Sequence, residues 1–329
     1  MHCLQAAAAV MALHISIWHI LLILVALGVL LTIFMVISAA RVRVHKRDFY
    51  FHGSGTRSSP AVSSPVTSLD TGSSGARSSG NSSASSGCVP DSPCITVGFF
   101  SDTHGFGCLR SPSWIARQFL DNHCDIVLFG GDCVHKKTVR RSDLRMLTEV
   151  SADLKARRIE LLSVYGNHDW GLTPEDYEKM GAILLLDTWK EVSFSGLKMA
   201  ICGIADNQRG ERPWGSIPDD FAAYDGFRLL LVHNPDFIYT LPDYSGDKTA
   251  KRPFDYMLSG HLHGGQVHLP GNLEFTFFRE DRIAREAGIL GGAFESRGYR
   301  GFISRGAGNG FLPIRLFARP EIHILRFHI

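Results

Sequence analysis

The sequence predicts an α/β domain built on two facing sheets, preceded by an N-terminal transmembrane helix. Three observations carry that expectation. Short apolar runs of strand length recur from Ile95 onward, separated at first by amphipathic helical patterns. The pattern then shifts to consecutive strand-like pieces, "WKEVSF" and "LKMAICGI", which supply a second sheet. Near the start, Val10 to Ile37 carries no Asp, Glu, Lys or Arg and is longer than the about 20 apolar residues that span a bilayer.

Taken in order, the chain of 329 residues divides into an anchor (1–40), a basic stop with a Ser/Gly-rich linker (41–92) and a folded domain (93–329). The basic stretch "RVRVHKR", Arg41 to Arg47, follows the apolar run, and no Lys or Arg precedes it. The positive-inside rule therefore places the domain on the cytoplasmic face of the inner membrane, as a single-pass protein. A cleaved signal peptide is the competing reading, but its charges belong on the other side of the apolar run. Gly53 to Gly87 is dominated by Ser and Gly. It cannot bury enough apolar surface to offset its conformational entropy, and reads as a flexible tether. A net charge of +2 gives no footprint for nucleic acid. Seven cysteines without a C-x-x-C pair read as small buried hydrophobes in a reducing compartment.

Within the domain, five strand-like runs lead straight into metal-binding side chains. "ITVGFF" is followed by Asp102 and His104, "DIVLFG" by Asp132, and "ELLSVYG" by Asn167, His168 and Asp169. "FRLLLV" is followed by His233, and "FDYMLSG" by His261 and His263. Ligand sites in α/β folds form outside the carboxyl ends of strands, so parallel strands would bring these residues together. Helices are read in "SPSWIARQFLDNH", in "RSDLRMLTEVSADLKARR" with Leu144, Leu147, Val150 and Leu154 at helical spacing, and in "TPEDYEKMG" with Thr173 as N-cap and Pro174 after it.

The ordered blocks "SDTH", "GGD", "GNHD", "VHNPD" and "GHLHGGQ" resemble the signature of the calcineurin-like metallophosphoesterases. The closing "SRGAGNGFLPIRLFARPEIHIL" and "HGGQV" are similar to a membrane-attached subgroup that hydrolyses the pyrophosphate of UDP-2,3-diacylglucosamine in lipid A synthesis. The resemblance implies a four-layer α-β-β-α sandwich of two mixed sheets and two divalent metal ions. Manganese comes first, with iron, zinc and cobalt as alternatives. Asp102, His104, Asp132 and His263 would hold one ion; Asp132, Asn167, His233 and His261 would hold the other. His168 would serve as proton donor to the leaving oxygen, with Asp169 orienting its ring. Two carboxylates among neutral imidazoles and an amide would leave two divalent ions with net positive charge, suited to an anionic phosphate.

Several residues fall outside that pattern. His135 and His268 read as neighbours of the site or as surface, and Cys133 as packed inward. Arg305 and Arg315 read either as phosphate contacts or as structural ion-pair partners. Leu241 to Pro253 reads as a surface loop. Asn272 to Phe294, with Arg279, Arg282 and Arg285 among aromatics, reads either as a lid meeting a lipid-linked phosphate or as an amphipathic helix packed on the domain. The expected substrate is a lipid-linked nucleotide sugar in the bilayer; the alternative is a range of soluble phosphate esters.

Overall fold

The computed structural model describes residues 2–51, 93–135, 141–169, 171–247, 249–268, 280–310 and 312–329. The expected linker at 53–87 and the first part of the expected lid, through Arg279, lie outside the described residues.

Helix α1 runs His2–Ala40, and its Trp18–Ala40 portion is long and apolar enough to cross a membrane. It leads directly into strand β1, Arg43–Tyr50. The first half of the domain follows as β2 (Ile95–Phe100), α2 (Pro112–Asp121), β3 (Ile126–Phe129), α3 (Arg141–Lys155), β4 (Leu161–Ser163), α4 (Pro174–Lys179) and β5 (Ile183–Leu184). The second half is β6 (Thr188–Phe194), β7 (Leu197–Gly203), α5 (Asp219–Ala223), β8 (Phe227–Leu231), β9 (Tyr256–Ser259), α6 (Arg282–Ala287), β10 (Gly292–Ser296), β11 (Tyr299–Ile303) and β12 (Glu321–His328).

Two six-stranded sheets form, ordered β1-β12-β2-β3-β4-β5 and β10-β11-β9-β8-β7-β6. Their centres are parallel, β2 through β5 in the first and β11, β9, β8 and β7 in the second. Successive side chains of a strand face opposite sides, and the apolar runs use both. On β3, Ile126 and Leu128 join Met199, Leu229 and Leu258 between the sheets, while Val127 and Phe129 meet Ile115, Phe119 and Leu147 of α2 and α3. Behind the second sheet, Leu230 and Met257 pack with Phe221 of α5 and Ile283 of α6. The result is the expected α-β-β-α sandwich.

The helix starts follow the expected chemistry. The Ser111 hydroxyl accepts from the Trp114 N–H at 3.2 Å, and Thr173 and Asp176 form a capping box.

The structure departs from the sequence reading at both flanks. Arg43 to Tyr50, read as a basic stop outside the domain, pairs with β12 along its whole length, from Arg43↔Glu321 to Tyr50↔His328. It is an edge strand whose Arg43 and Lys46 face water, the way sheets protect an open edge. The later part of the expected lid is also framework. The Asp236 carboxylate accepts from the backbone N–H groups of Arg282 and Ile283 at 2.7 and 2.8 Å, and residues 292–296 are β10.

Candidate active site

The five loops carrying Asp102/His104, Asp132, Asn167/His168/Asp169, His233 and His261/His263 leave the carboxyl ends of β2, β3, β4, β8 and β9. Those ends share one edge of the sandwich. Holding the loops there requires unusual backbone. Asp102, His104, Asp132, His261 and His263 all lie at positive φ, between 48° and 73°. Such residues are uncommon outside glycine and gather at sites where surrounding structure enforces them. Glycines provide the remaining room. A Cβ on Gly166 would collide with Asp132 Oδ1, and one on Gly260 with Asp102 Oδ2.

The side chains converge in two groups. Asp102, His104 and His263 offer ligand atoms within 4.8 Å of one another, and so do Asp102, Asp132 and His233. His104 Nε2 lies 2.9 Å from His263 Nε2 and 3.7 Å from Asp132 Oδ2. His233 Nε2 lies 3.3 Å from Asp132 Oδ2, 3.1 Å from Asn167 Oδ1 and 3.3 Å from His261 Nδ1. Asp132 thus faces both groups. The outer ring nitrogens face carbonyls, His104 Nδ1 that of Val134 at 3.2 Å and His233 Nδ1 that of Gly130 at 2.7 Å. Donation there turns each Nε2 lone pair inward. Ring nitrogens and carboxylate and amide oxygens aimed at one another fit two divalent cations. The donor set, mixed imidazole, carboxylate and amide, suits first-row transition metals better than calcium or magnesium.

Burial lowers His104 to about 4, which keeps it neutral near pH 7. Burial alone would raise Asp132, but the charge of a protonated His233 beside it holds it well below the usual carboxylate range, and Asp132 in turn holds His233 well above its ordinary value; a bound cation would take the place of that proton.

The structure gives Asp169 a different place from the one expected. Its carboxylate accepts from the backbone N–H groups of Asp132 (2.9 Å), Val134 (3.1 Å) and Gly166 (2.8 Å) and from the Tyr177 hydroxyl (3.0 Å). It braces the Asp132 loop against the Gly166 loop. The His168 ring instead stacks on His135, centroids 5.2 Å apart, and meets His104 edge-on at 5.3 Å. Its backbone N–H donates to Asp132 Oδ1 at 2.8 Å. Cys133 packs inward, fully buried.

Arg315 is fully buried and serves the frame. Nη1 donates to the carbonyls of His263 (2.5 Å) and Ala318 (3.1 Å), Nε to Asn309 Oδ1 (3.1 Å), and Nη2 to the Gly308 carbonyl while lying 3.0 Å from His263 Nδ1. Arg305 packs its stem against Gly264 and sits 3.9 Å from the Glu321 carboxylate.

Two carboxylates beside the site escaped the sequence reading. Asp281 Oδ1 lies 2.9 Å from His261 Nε2. Asp206 is buried, with no hydrogen-bond partner for Oδ2 among the described residues, and it acts electrostatically on His233 and His261. Asp206 follows β7 as the other site residues follow their strands, so the same rule would have found it. Asp281 precedes a short helix and gives no such signal.

Comparison with known proteins agrees with this geometry. Over 243 residues the chain is 25% identical to the metallophosphoesterase YkoQ of Bacillus subtilis (strain 168), covering 71% of this chain and 84% of that protein. It is 27% identical over 212 residues to the phosphodiesterase YaeI of Escherichia coli (strain K12), covering 61% and 69% respectively. It is 34% identical over 105 residues to the UDP-2,3-diacylglucosamine pyrophosphatase LpxG of Chlamydia muridarum (strain MoPn / Nigg), covering 30% of this chain and 28% of that protein. The sequence profile described as Calcineurin-like phosphoesterase matches residues 95–265, which run from β2 through the His263 loop. The chain therefore belongs to the calcineurin-like phosphoesterases, metal-dependent enzymes that hydrolyse phosphate esters.

Proposed function

We propose that this enzyme is a single-pass protein of the inner membrane, its domain in the cytoplasm, that cleaves the pyrophosphate of UDP-2,3-diacylglucosamine to UMP and 2,3-diacylglucosamine 1-phosphate. The observation that carries the lipid-linked substrate is the place of the site beside the anchor. The Arg315 backbone N–H donates to the Met35 carbonyl of α1 at 3.2 Å, while its guanidinium holds the carbonyl of His263. One residue thus joins the apolar helix to a candidate metal ligand. The partial likeness to LpxG supports the same reading.

Asp102, His104, Asp132 and His263 would hold one divalent ion, and Asp132, Asn167, His233 and His261 the other. When bound, such a pair draws charge from the phosphoryl oxygens and acidifies the attacking water. Manganese is the first choice. The chain's own share is positional. The Asp169 brace fixes the Asp132 loop, and the carbonyls of Val134 and Gly130 set the His104 and His233 rings. His168, set by its backbone bond to Asp132 and by the His135 ring, delivers a proton to the leaving phosphate oxygen.

The test incubates full-length protein in detergent micelles with Mn²⁺ and UDP-2,3-diacylglucosamine, with Asp132→Asn alongside, and reads products by mass spectrometry. UMP and the lipid monophosphate from wild type alone support the proposal. A second reading, broad hydrolysis of soluble phosphodiesters, is favoured by the longer likeness to YaeI. It prevails if a soluble diester is cleaved and UMP never forms.

A further inference from the structure

Helix α1 joins the domain without a spacer. It ends at Ala40, and β1 begins at Arg43. Ser38, Ala39 and Val42 are buried, and the Arg43 N–H donates to the Pro320 carbonyl at 2.8 Å. The Ser/Gly-rich segment lies beyond β1 instead. It connects Phe51, whose N–H donates to His328 at 2.7 Å, to Ile95, which pairs with Phe327. Both attachment points flank the same end of β12, two strand spacings or roughly 10 Å apart. The segment leaves and re-enters one sheet, and adds no length between anchor and site.

The strand registers set the orientation. Arg43, where the chain leaves α1, pairs with Glu321, and His323 two residues on pairs with Phe99. Phe99 is followed within three residues by Asp102. The end of the sheet nearest α1 is therefore the catalytic edge.

Apolar and cationic groups gather at that edge. Outside α1, the exposed large hydrophobic residues among the described ones are Leu109, Ile183, Leu312 and Phe317; Phe317 is 70% and Leu312 48% exposed. Phe317 and Leu312 flank Arg315, the residue bonded to Met35. Leu109 follows Gly107, whose carbonyl accepts from Asn309 at 2.8 Å. A lone exposed Phe is ordinary, but here it stands beside a helix that crosses a membrane. Arg41, Arg43 and Arg319 lie together at the same place. Burial first, then the charges of Arg43 and Arg41, push the Arg319 guanidinium below its ordinary value. The occupant that matches an apolar loop, a membrane helix and three guanidinium groups is a lipid bilayer with anionic headgroups.

We propose that the catalytic edge is seated on the bilayer surface, with Leu312–Phe317 dipping into the interface and Arg41, Arg43 and Arg319 gripping anionic headgroups. This rests on α1 spanning the membrane, the anchored reading given above. Substrate would then reach the metal ligands without leaving the lipid phase, and segment 52–92 would have no part in reach.

The test uses the full chain in vesicles of phosphatidylglycerol and phosphatidylcholine and requires no substrate, so it stands apart from the lipid A assignment. Phe317→p-benzoylphenylalanine is irradiated beside Ile183→p-benzoylphenylalanine, an exposed position on β5. The expected result is about tenfold more lipid adduct at 317 than at 183, the contrast between an interfacial and an aqueous site. That excess should persist when residues 54–87 are deleted, and Arg319→Gln should reduce it in anionic vesicles. Equal adducts at the two positions would overturn the proposal. So would a chain-to-chain adduct at 317, which identifies a second copy as occupant, or failure of the chain to float with the vesicles.

Discussion

Two buried clusters in this molecule are made of the same residue types and do opposite things. One is the catalytic edge. The other lies at the β1–β12 junction, where Glu321 Oε2 is 3.2 Å from His45 Nε2 and Oε1 is 3.4 Å from His323 Nε2. Glu321 Oε1 also accepts the Arg305 backbone N–H at 3.0 Å, and His323 Nε2 reaches Ser304 Oγ at 3.2 Å. Here one carboxylate meets two imidazoles and a backbone donor, on strand backbone of ordinary φ. At the catalytic edge, ring nitrogens face each other at 2.9 and 3.3 Å, on loops at positive φ. The first arrangement sets one carboxylate against two imidazoles and a backbone donor; the second turns ring nitrogens, carboxylate oxygens and an amide oxygen toward a common centre. Composition therefore does not separate a metal centre from a structural ion cluster. The direction of the lone pairs, and the backbone strain accepted to set it, does.

The sharpest way to break the comparison is Glu321→Gln. Removing one partner of a buried ion cluster costs about 3–5 kcal/mol of stability. Chemical denaturation should show that loss, while hydrolysis by the folded fraction is nearly unchanged. If activity collapsed in step, the cluster would belong to the site. Acid gives the same cluster a second signature. Burial would raise Glu321, yet His323, His45 and Arg305 hold it well below its ordinary value. Its contribution is thus complete above about pH 4.3, the unfolded value, and is lost as pH falls through the folded one. Burial lowers His323, so the unfolded chain takes that proton first and stability also declines below about pH 6.5. Unfolding across pH 7 to 3 should show both phases in wild type and only the histidine phase in Glu321→Gln.

At the catalytic edge the corresponding break is Gly166→Ala. The added Cβ falls on the Asp132 carboxylate and backbone N. Displacing by an ångström a carboxylate that two ions would share costs about 10²-fold in rate. Metal content by atomic spectroscopy should fall with kcat while the fold persists. Unchanged metal content would mean that Asp132 is not a shared ligand.

The contrast also explains what was readable beforehand. Asp102, Asp132, Asn167, His233 and His261 were legible because each follows a run of buried strand residues, and strand ends in a parallel sheet share an edge. β1 was not, because its exposed Arg43 and Lys46 imitate a topology signal; only pairing with β12, nearly 280 residues away, makes it a strand. Glu321 and His323 alternate on β12, and nothing local marks them as a cluster. The place of Asp169 is hidden for the same reason. Adjacency to His168 suggests a partner, whereas its hydrogen bonds reach Asp132 and Val134, more than 30 residues away.

Asp281 stands between the two kinds of cluster, and so sharpens the distinction. It is a carboxylate against an imidazole, 2.9 Å from His261 Nε2, as Glu321 is against His323. But the other nitrogen of that ring, Nδ1, faces His233 Nε2 at 3.3 Å, inside the candidate centre. An acceptor on the outer nitrogen fixes the tautomer and raises the basicity of the inner one, and losing such a partner typically costs about 10–100-fold in metal affinity. Asp281→Asn keeps shape and removes charge, and its amide oxygen still accepts from Nε2–H. The expected outcome is tenfold weaker retention of one of two ions during chelator titration, nearer the lower bound. Global stability should move by less than about 1 kcal/mol, because the pair is partly open to solvent. Asp281→Ala should approach the upper bound, since the ring then loses orientation as well. A stability loss of the Glu321 kind, with both ions held as before, would place Asp281 with the structural cluster instead.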